Sequence, residues 1–257
     1  MLTKTRWPYP RILAHRGAGV LAPENTLVAL RLSASLGFGG VEVDAQVAAC
    51  GAPFLLHDDT LDRTTDGTGP AIRSTLAQLR ALVAGAWFGN EFGGERIPTL
   101  EAACALSRSQ GQWMNIEIKV AADADPARTG AVVAAETARR WADASPPPLL
   151  SSFSEPALAA AARNAPGLPR GLLVDALPPD WLERVRSLGC ASLHVAQQHL
   201  TAEGVESIHG EGIAVLAYTV NEPGRAITLF EWGVDAIVTD ELREIRPDFL
   251  AVYGLGR

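Results

Sequence analysis

One pattern recurs through the second half of this chain: a short apolar run, a polar tip, a helix start, an amphipathic stretch, a glycine. Leu149-Leu150-Ser151-Ser152-Phe153 reads as a strand, and Ser154 can cap the Ala-rich helix behind it. Gly171-Leu172-Leu173-Val174-Asp175 is the next strand; its helix opens at Asp180, presents Trp181, Val185 and Leu188 on one face, and closes at Gly189. Ser192-Leu193-His194-Val195 followed by Thr201 repeats the unit, as does "IAVLAYTV" (213–220) with Asn221 as cap and Gly233 as stop. "DAIVTD" (235–240) is the last strand, and "RILAH" (11–15), "VEVDAQV" (41–47) and "WMNIEIKV" (113–120) supply three more in the first half. Runs apolar on both faces and separated by helices predict a parallel sheet covered on each side. Eight such units predict an α/β chain closed as a (β/α)8 TIM barrel, with an open doubly wound sheet as the structural alternative. A length of 257 residues suits one barrel domain spanning 1–257.

One stretch breaks the pattern. "AACGAPFLLH" (48–57) reads as a turn and a returning strand instead of a helix. The glycine-rich residues after it offer one clear helix, opened by a Thr75-x-x-Gln78 capping box. Residues 48–98 are therefore expected to form a small insertion after the second strand, at the functional C-terminal face of the barrel.

A net charge of −7 with scattered Lys and Arg argues against nucleic-acid or anionic-membrane partners, which need a concentrated basic patch. Cys50, Cys104 and Cys190 are far apart and read as free, mostly packed thiols, as expected of a reducing compartment. The N-terminal "MLTKTRWPYPRILAH" holds no apolar stretch resembling a secretory signal, and no run of about 18 apolar residues occurs. The expectation is a cytoplasmic protein that uses no membrane; a homodimer is allowed but not specified.

Strand alternation brings chemistry to one face. In "VEVD", Glu42 and Asp44 point together while Val41 and Val43 point the other way; in "NIEIK", Asn115, Glu117 and Lys119 share a face. If the β-branched residues pack under the helices, three carboxylates converge at the barrel mouth. Two like charges 4 Å apart repel by about 4 kcal/mol at an effective dielectric of 20. Raised carboxylate pKa values are one remedy; a divalent cation is the other and the favoured one, with Mg²⁺, Ca²⁺ or Mn²⁺ preferred over zinc by all-oxygen ligands. His15 ends the first strand and His57 ends the returning one, so they can serve as a general base and a general acid. Arg16 and Lys119 offer positive charge to an anion. His194 lies on a barrel strand that can approach this site; His199 and His209 are expected at the surface or in packing. Absence of "GxxxxGK[ST]" and "GxSxG" disfavours a P-loop transferase and a serine hydrolase.

"HRG" (15–17), "PENT" (23–26), "EVD" (42–44), "HDDTLDRTTDGTG" (57–69), "IEIK" (116–119), "LLSSF" (149–153) and "YTVN" (218–221), in this order and spacing, resemble the glycerophosphodiester phosphodiesterase family. The resemblance covers about residues 11–247 and is nearest to cytoplasmic bacterial members associated with glycerol-3-phosphate uptake. It implies a (β/α)8 barrel with an insertion after the second strand. By the family motif, Glu42, Asp44 and Glu117 would hold the metal, His15 and His57 would be the acid/base pair, and Arg16 and Lys119 would contact phosphate. Phe153 and Tyr218 would line the apolar side near the glycerol, although many members carry Trp at the position of Tyr218. "AACGA" (48–52) also replaces the family's usual polar turn.

The implied activity is metal-dependent hydrolysis of a glycerophosphodiester to an alcohol and sn-glycerol 3-phosphate, with Mg²⁺ or Ca²⁺ and a small-molecule substrate. The alternatives are a phospholipase-like lyase that stops at a cyclic phosphate, and a non-catalytic glycerophosphodiester-binding protein. Gly17 is expected to allow a close backbone approach, Asn25 or Thr26 to cap the first helix, and Glu24 to brace the loop.

Overall fold

The computed structural model describes residues 7–255, so the expected lack of a leader falls partly outside the described residues. Strand β1 (Ile12–Ala14) leads through two short 3-10 turns into helix α1 (Leu27–Ser35). β2 (Gly40–Val47) is followed by β3 (Pro53–Leu55), helix α2 (Leu76–Ala81) and helix α3 (Leu100–Ser109). Strand and helix then alternate: β4 (Trp113–Ile118), α4 (Pro126–Arg140), β5 (Leu149–Ser152), α5 (Glu155–Asn164), β6 (Arg170–Val174) and α6 (Trp181–Leu188). The series continues with β7 (Ser192–Ala196), α7 (Ala202–Gly210), β8 (Ala214–Tyr218), α8 (Pro223–Glu231) and β9 (Ala236–Thr239), and a last turn of helix, α9 (Phe249–Val252), follows.

The strands run β1-β9-β8-β7-β6-β5-β4-β2 in parallel, and β1 also pairs with β2, which closes the ring. This is the expected TIM barrel; the open sheet is excluded. β3 returns antiparallel on β2, with Gln46 opposite Phe54, as the hairpin pattern predicts. The segment between β2 and α3 carries its own small apolar cluster, including Phe54, Leu56, Leu61, Leu79 and Ile97, so it has a packed core of its own. Inside the barrel, Leu13, Trp113, Leu149, Leu216 and Val238 form an apolar layer. They share strand faces with His15, Asn115, Ser151, Tyr218 and Asp240, so this layer is the floor beneath the polar mouth.

Helix starts follow local chemistry at Thr26, Thr75, Ser154 and Thr201, whose side chains accept from backbone N–H groups one turn on. Thr26, not Asn25, caps α1. The expected Asn221 cap is not made: α8 begins behind Glu222 with no side-chain cap, and Asn221 is engaged elsewhere. Asp180 precedes α6 but its side chain accepts no capping bond either. Gly17 does permit a close approach, to the helix behind it: a Cβ there would sit 2.9 Å from the Ala29 side chain.

Helix α4 packs tightly against α5 at Gly130, where an added Cβ would lie 2.1 Å from the Ala157 carbonyl oxygen. Gly130→Ala is therefore expected to destabilise the fold by about 1–3 kcal/mol through overpacking. The check is a lower urea midpoint with an unchanged slope of unfolding free energy against urea.

Candidate active site

Strand register builds the acidic centre. β2 and β4 pair with Glu42 opposite Asn115 and Asp44 opposite Glu117, so carboxylates from adjacent strands stand side by side. One carboxylate oxygen from each of Glu42, Asp44 and Glu117 lies within 4.8 Å of the others. All three are largely buried, in a cavity of about 240 Å³ at the barrel mouth. The cations gather on two of them. Lys119 Nζ is 2.8 Å from Glu117 and 3.5 Å from Asp44, and Arg16 Nε is 3.5 Å from Asp44. Burial opposes ionisation of Asp44, but Lys119 and Arg16 outweigh it and hold its pKa below the ordinary range. At Glu42 the charges of His15 and Arg16 are outweighed: burial, with the charge of Asp44, pushes its carboxyl up to about 8. Burial, again with Asp44, raises Glu117 to about 7.

Glu42 accepts the Arg16 backbone N–H on Oε2 at 3.1 Å, while Oε1 is buried with no hydrogen-bond partner. An all-oxygen set of three buried carboxylates with one orphaned oxygen fits a hard divalent cation, which would satisfy that oxygen and offset the excess negative charge.

Two imidazoles flank the cluster, each held at Nδ1 by a carboxylate. His15 Nδ1 lies 2.6 Å from Asp240 Oδ1, and its Nε2 is 3.9 Å from Glu42. Burial disfavours the charged ring, but the hydrogen bond to Asp240 and the charge of Glu42 outweigh it and raise the pKa of His15. Asp240 is in turn fixed by Asn221, whose Nδ2 donates to Oδ2 at 3.0 Å and whose Oδ1 accepts the Asp240 N–H at 2.9 Å. That engagement is why Asn221 does not cap α8. His57 Nδ1 lies 2.7 Å from Asp58 Oδ1, and burial lowers the pKa of His57. Gln46 on β2 donates to the carbonyls of Leu56 and Asp58, on either side of His57, and so holds the insertion at the mouth.

The "PENT" segment takes part in the site more than its expected bracing role implies. Asn25 Nδ2 donates to Asp44 Oδ2 at 2.8 Å, and Asn25 Oδ1 accepts the Asp44 N–H at 3.0 Å. Glu24 pairs with Arg16 Nη1 at 2.8 Å. Arg16 and Asn25 both have left-handed φ values, 50° and 56°, and their backbones are joined by the Asn25 N–H donating to the Arg16 carbonyl. Arg16 Nε is buried without a hydrogen-bond partner, which leaves a donor free inside the cavity.

Phe153 and Tyr218 meet edge to face at 6.0 Å and form an apolar lip. His194 does reach the cavity: Ser192 holds its Nε2 at 2.9 Å, burial pushes its pKa down to about 3, and its Nδ1 has no partner. His209 pairs with Asp235 outside this cavity. Asp240, Asn221, Asp58 and Asn25 were missed as site residues, since each bond that defines them joins segments whose meeting no local pattern announces, apart from the neighbouring His57-Asp58. A second hollow of about 390 Å³ lies between the insertion and α4; its Arg73 and Asp123 pair with each other at 2.9 Å.

A barrel mouth with this acidic triad and a paired set of carboxylate-held imidazoles invites comparison with known phosphodiesterases. Residues 15–244 match the model of the glycerophosphoryl diester phosphodiesterase family. The chain belongs to that family. It is 33% identical to a glycerophosphodiester phosphodiesterase of Caldanaerobacter subterraneus subsp. tengcongensis over 231 residues, covering 90% of this chain and 93% of the relative. Among solved structures, an Oleispira antarctica phosphodiesterase in complex with the product sn-glycerol-3-phosphate superposes with a TM-score of 0.85 at 36% identity, over 92% of this chain and 95% of that one. A glycerophosphodiester phosphodiesterase from Agrobacterium tumefaciens gives a TM-score of 0.76 at 28% identity, covering 94% and 99%. The enzyme has no helix among its described residues long and apolar enough to cross a membrane.

Two outcomes follow from this geometry. Added to protein first stripped of metal by chelator and dialysed, Mg²⁺ or Ca²⁺ at about 100 times its Kd is expected to stabilise the fold by about 2.7 kcal/mol, roughly a 5–10 °C rise in Tm for a chain of this size. Glu42→Gln, which takes one carboxylate out of the set that would hold the cation, should show no such rise; differential scanning calorimetry reads both. Asp240→Ala, which frees His15 Nδ1, should lower kcat about 10- to 100-fold, a part of what a positioned acid/base group contributes, and should lower stability by about 1–3 kcal/mol, since His15 and Asn221 each lose a partner.

Proposed function

We propose that this enzyme hydrolyses glycerophosphodiesters to an alcohol and sn-glycerol 3-phosphate with a divalent cation, Mg²⁺ or Ca²⁺. The observation that carries the reading is the convergence, in one cavity, of three buried carboxylates, two imidazoles anchored at Nδ1 and a free Arg16 donor. The product bound in the Oleispira antarctica relative supports the glycerol-phosphate end of the substrate. In this reading the chain acts as one catalytic domain, insertion included, and its three free cysteines support a cytoplasmic location.

Glu42, Asp44 and Glu117 would hold the cation, which when bound supplies Lewis-acid polarisation of phosphoryl oxygen. Arg16 and Lys119 add fixed positive charge where the phosphoryl oxygens gain negative charge, and the Arg16 fork suits two oxygens at once. Asp240 fixes the Nδ1–H tautomer of His15, leaving Nε2 to accept a proton from the nucleophile; Asp240 then stabilises the imidazolium as the orienting carboxylate of a hydrolase triad does. Asp58 fixes His57 in the same way, so its Nε2 gives a proton to the departing alkoxide. His57 is the more exposed of the two, 31% against 18% for the side chain, which suits the solvent side where the alcohol leaves. Phe153 and Tyr218 would line the apolar edge of the glycerol. The nucleophile is water or the neighbouring glycerol hydroxyl, and the second route passes through a cyclic phosphate.

Release of glycerol 3-phosphate from glycerophosphocholine tests the reading. EDTA should abolish it, and His15→Ala should lower kcat by about 10²- to 10⁴-fold while the protein stays folded. Chelator-insensitive turnover removes the cation from the mechanism, and a cyclic phosphate persisting in ³¹P NMR spectra replaces the hydrolase with a lyase.

A further inference from the structure

Outside the groups assigned above, the insertion contributes Arg63, whose guanidinium makes four short contacts with two carboxylates. Its Nε lies 2.6 Å from Asp58 Oδ2 and its Nη2 lies 2.9 Å from Asp58 Oδ1. Its Nη1 and Nη2 lie 2.8 Å from the two oxygens of Glu24. Asp58 is the carboxylate that holds His57 Nδ1, and Glu24 is the one that holds Arg16 Nη1. Arg63 therefore stands midway in a chain of alternating basic and acidic groups that runs His57, Asp58, Arg63, Glu24, Arg16, Asp44 and continues through Lys119 to Glu117. The chain joins the insertion to the ends of β1, β2 and β4.

We propose that Arg63 is a positioning residue which couples the two halves of the site, orienting His57 through Asp58 and Arg16 through Glu24. Stability is a poor reason for this arrangement. The Arg63 side chain is 45% exposed, and exposed ion pairs contribute little to folding. Geometry is the better reason. A planar fork that binds two carboxylates with paired bonds fixes both in angle as well as distance, which a lysine point charge cannot do. Without it, Glu24 and Asp58 face each other as like charges and each loses its tether. Asp58 can then swing His57 off the leaving oxygen, and Glu24 can pull Arg16 out of line with the phosphate. A misplacement of about 1 Å at such groups costs on the order of 10²-fold in rate.

The inference rests on the proposed roles of His57 and Arg16, and the experiment separates the two levels. Arg63→Ala and Arg63→Lys are assayed in the full chain with saturating Mg²⁺, on glycerophosphocholine and on glycerophospho-p-nitrophenol. Both variants are expected to lose about 100-fold in kcat/KM on glycerophosphocholine with Tm within a few degrees of wild type, the pattern of lost orientation and not of lost fold. Ethylguanidinium in the buffer should restore part of the Arg63→Ala activity. Nitrophenolate leaves without a proton, so the loss of kcat should shrink on that substrate, while a raised KM persists from the Arg16 arm.

Activity of either variant within twofold of wild type overturns the proposal; Arg63→Lys decides alone if the alanine variant does not fold. A loss equal on both substrates overturns the His57 arm, and an unchanged KM on both overturns the Arg16 arm; either result ends the coupling. Full activity in His57→Ala or Arg16→Ala overturns the underlying reading and the proposal with it. Arg73→Ala, which breaks the exposed Arg73–Asp123 pair on the same insertion, should leave activity unchanged.

Discussion

Three carboxylates pressed together in a half-closed cavity set the terms for everything else in this protein. Isolated ionised groups are expensive to bury, and like charges in one cavity add to that expense. The barrel tolerates them because parallel register leaves no choice: once Val41, Val43, Ile116 and Ile118 are committed to the helix layer, Glu42, Asp44 and Glu117 must face inward. The helix-facing side of these strands thus provides the burial that drives folding, and the inward side carries the groups that folding alone would not select. Arg16 and Lys119 offset part of the charge but concentrate on Asp44 and Glu117. Glu42 remains, and its unpartnered oxygen is the observation that favours reading the cluster as a proposed cation site over a salt-bridge network alone.

Around this centre the same device is used twice. Each imidazole is fixed at Nδ1 by a carboxylate, and each carboxylate is fixed by a further polar group, Asn221 for Asp240 and Arg63 for Asp58. The two arms differ in origin. His15 and Asp240 sit at the ends of β1 and β9, neighbours in the ring, so barrel closure itself brings them together. His57, Asp58 and Arg63 come from the insertion, which has its own apolar cluster and is docked by Gln46. The rigid ring carries one imidazole, and a separately packed segment delivers the other from above.

Legibility in the sequence follows the range of the interaction. The strands, the hairpin, most caps and the three inward carboxylates rest on periods of two residues or contacts within one turn, and those can be read from neighbours. A place for Phe153 and Tyr218 near the glycerol is implied by family resemblance alone; the structure shows that the two rings meet edge to face. Asn221 illustrates the limit. It lies just ahead of a helix, where an asparagine is a good cap, and local reasoning assigns it there. Asp240 arrives 19 residues later on the next strand and takes both ends of its amide. Asn25 follows the same logic: its amide is taken by Asp44, a carboxylate on β2, and the cap of α1 falls to Thr26. The Asp240–His15 contact spans 225 residues and has no local trace.

The backbone at Arg16 shows how these constraints meet in one residue. A left-handed arginine costs on the order of 1–3 kcal/mol and persists only where its surroundings dictate it. Here three bonds do so: its N–H goes to Glu42, its carbonyl receives Asn25, and its guanidinium goes to Glu24. In this left-handed turn the side chain stays at the strand ends, with Nε 3.5 Å from Asp44. The strained backbone thus goes with a long, flexible side chain lining a cavity with an acidic wall, where its proposed role is to offset that charge for an anionic substrate. Orientation is settled before substrate arrives, so little ordering remains to be done on binding.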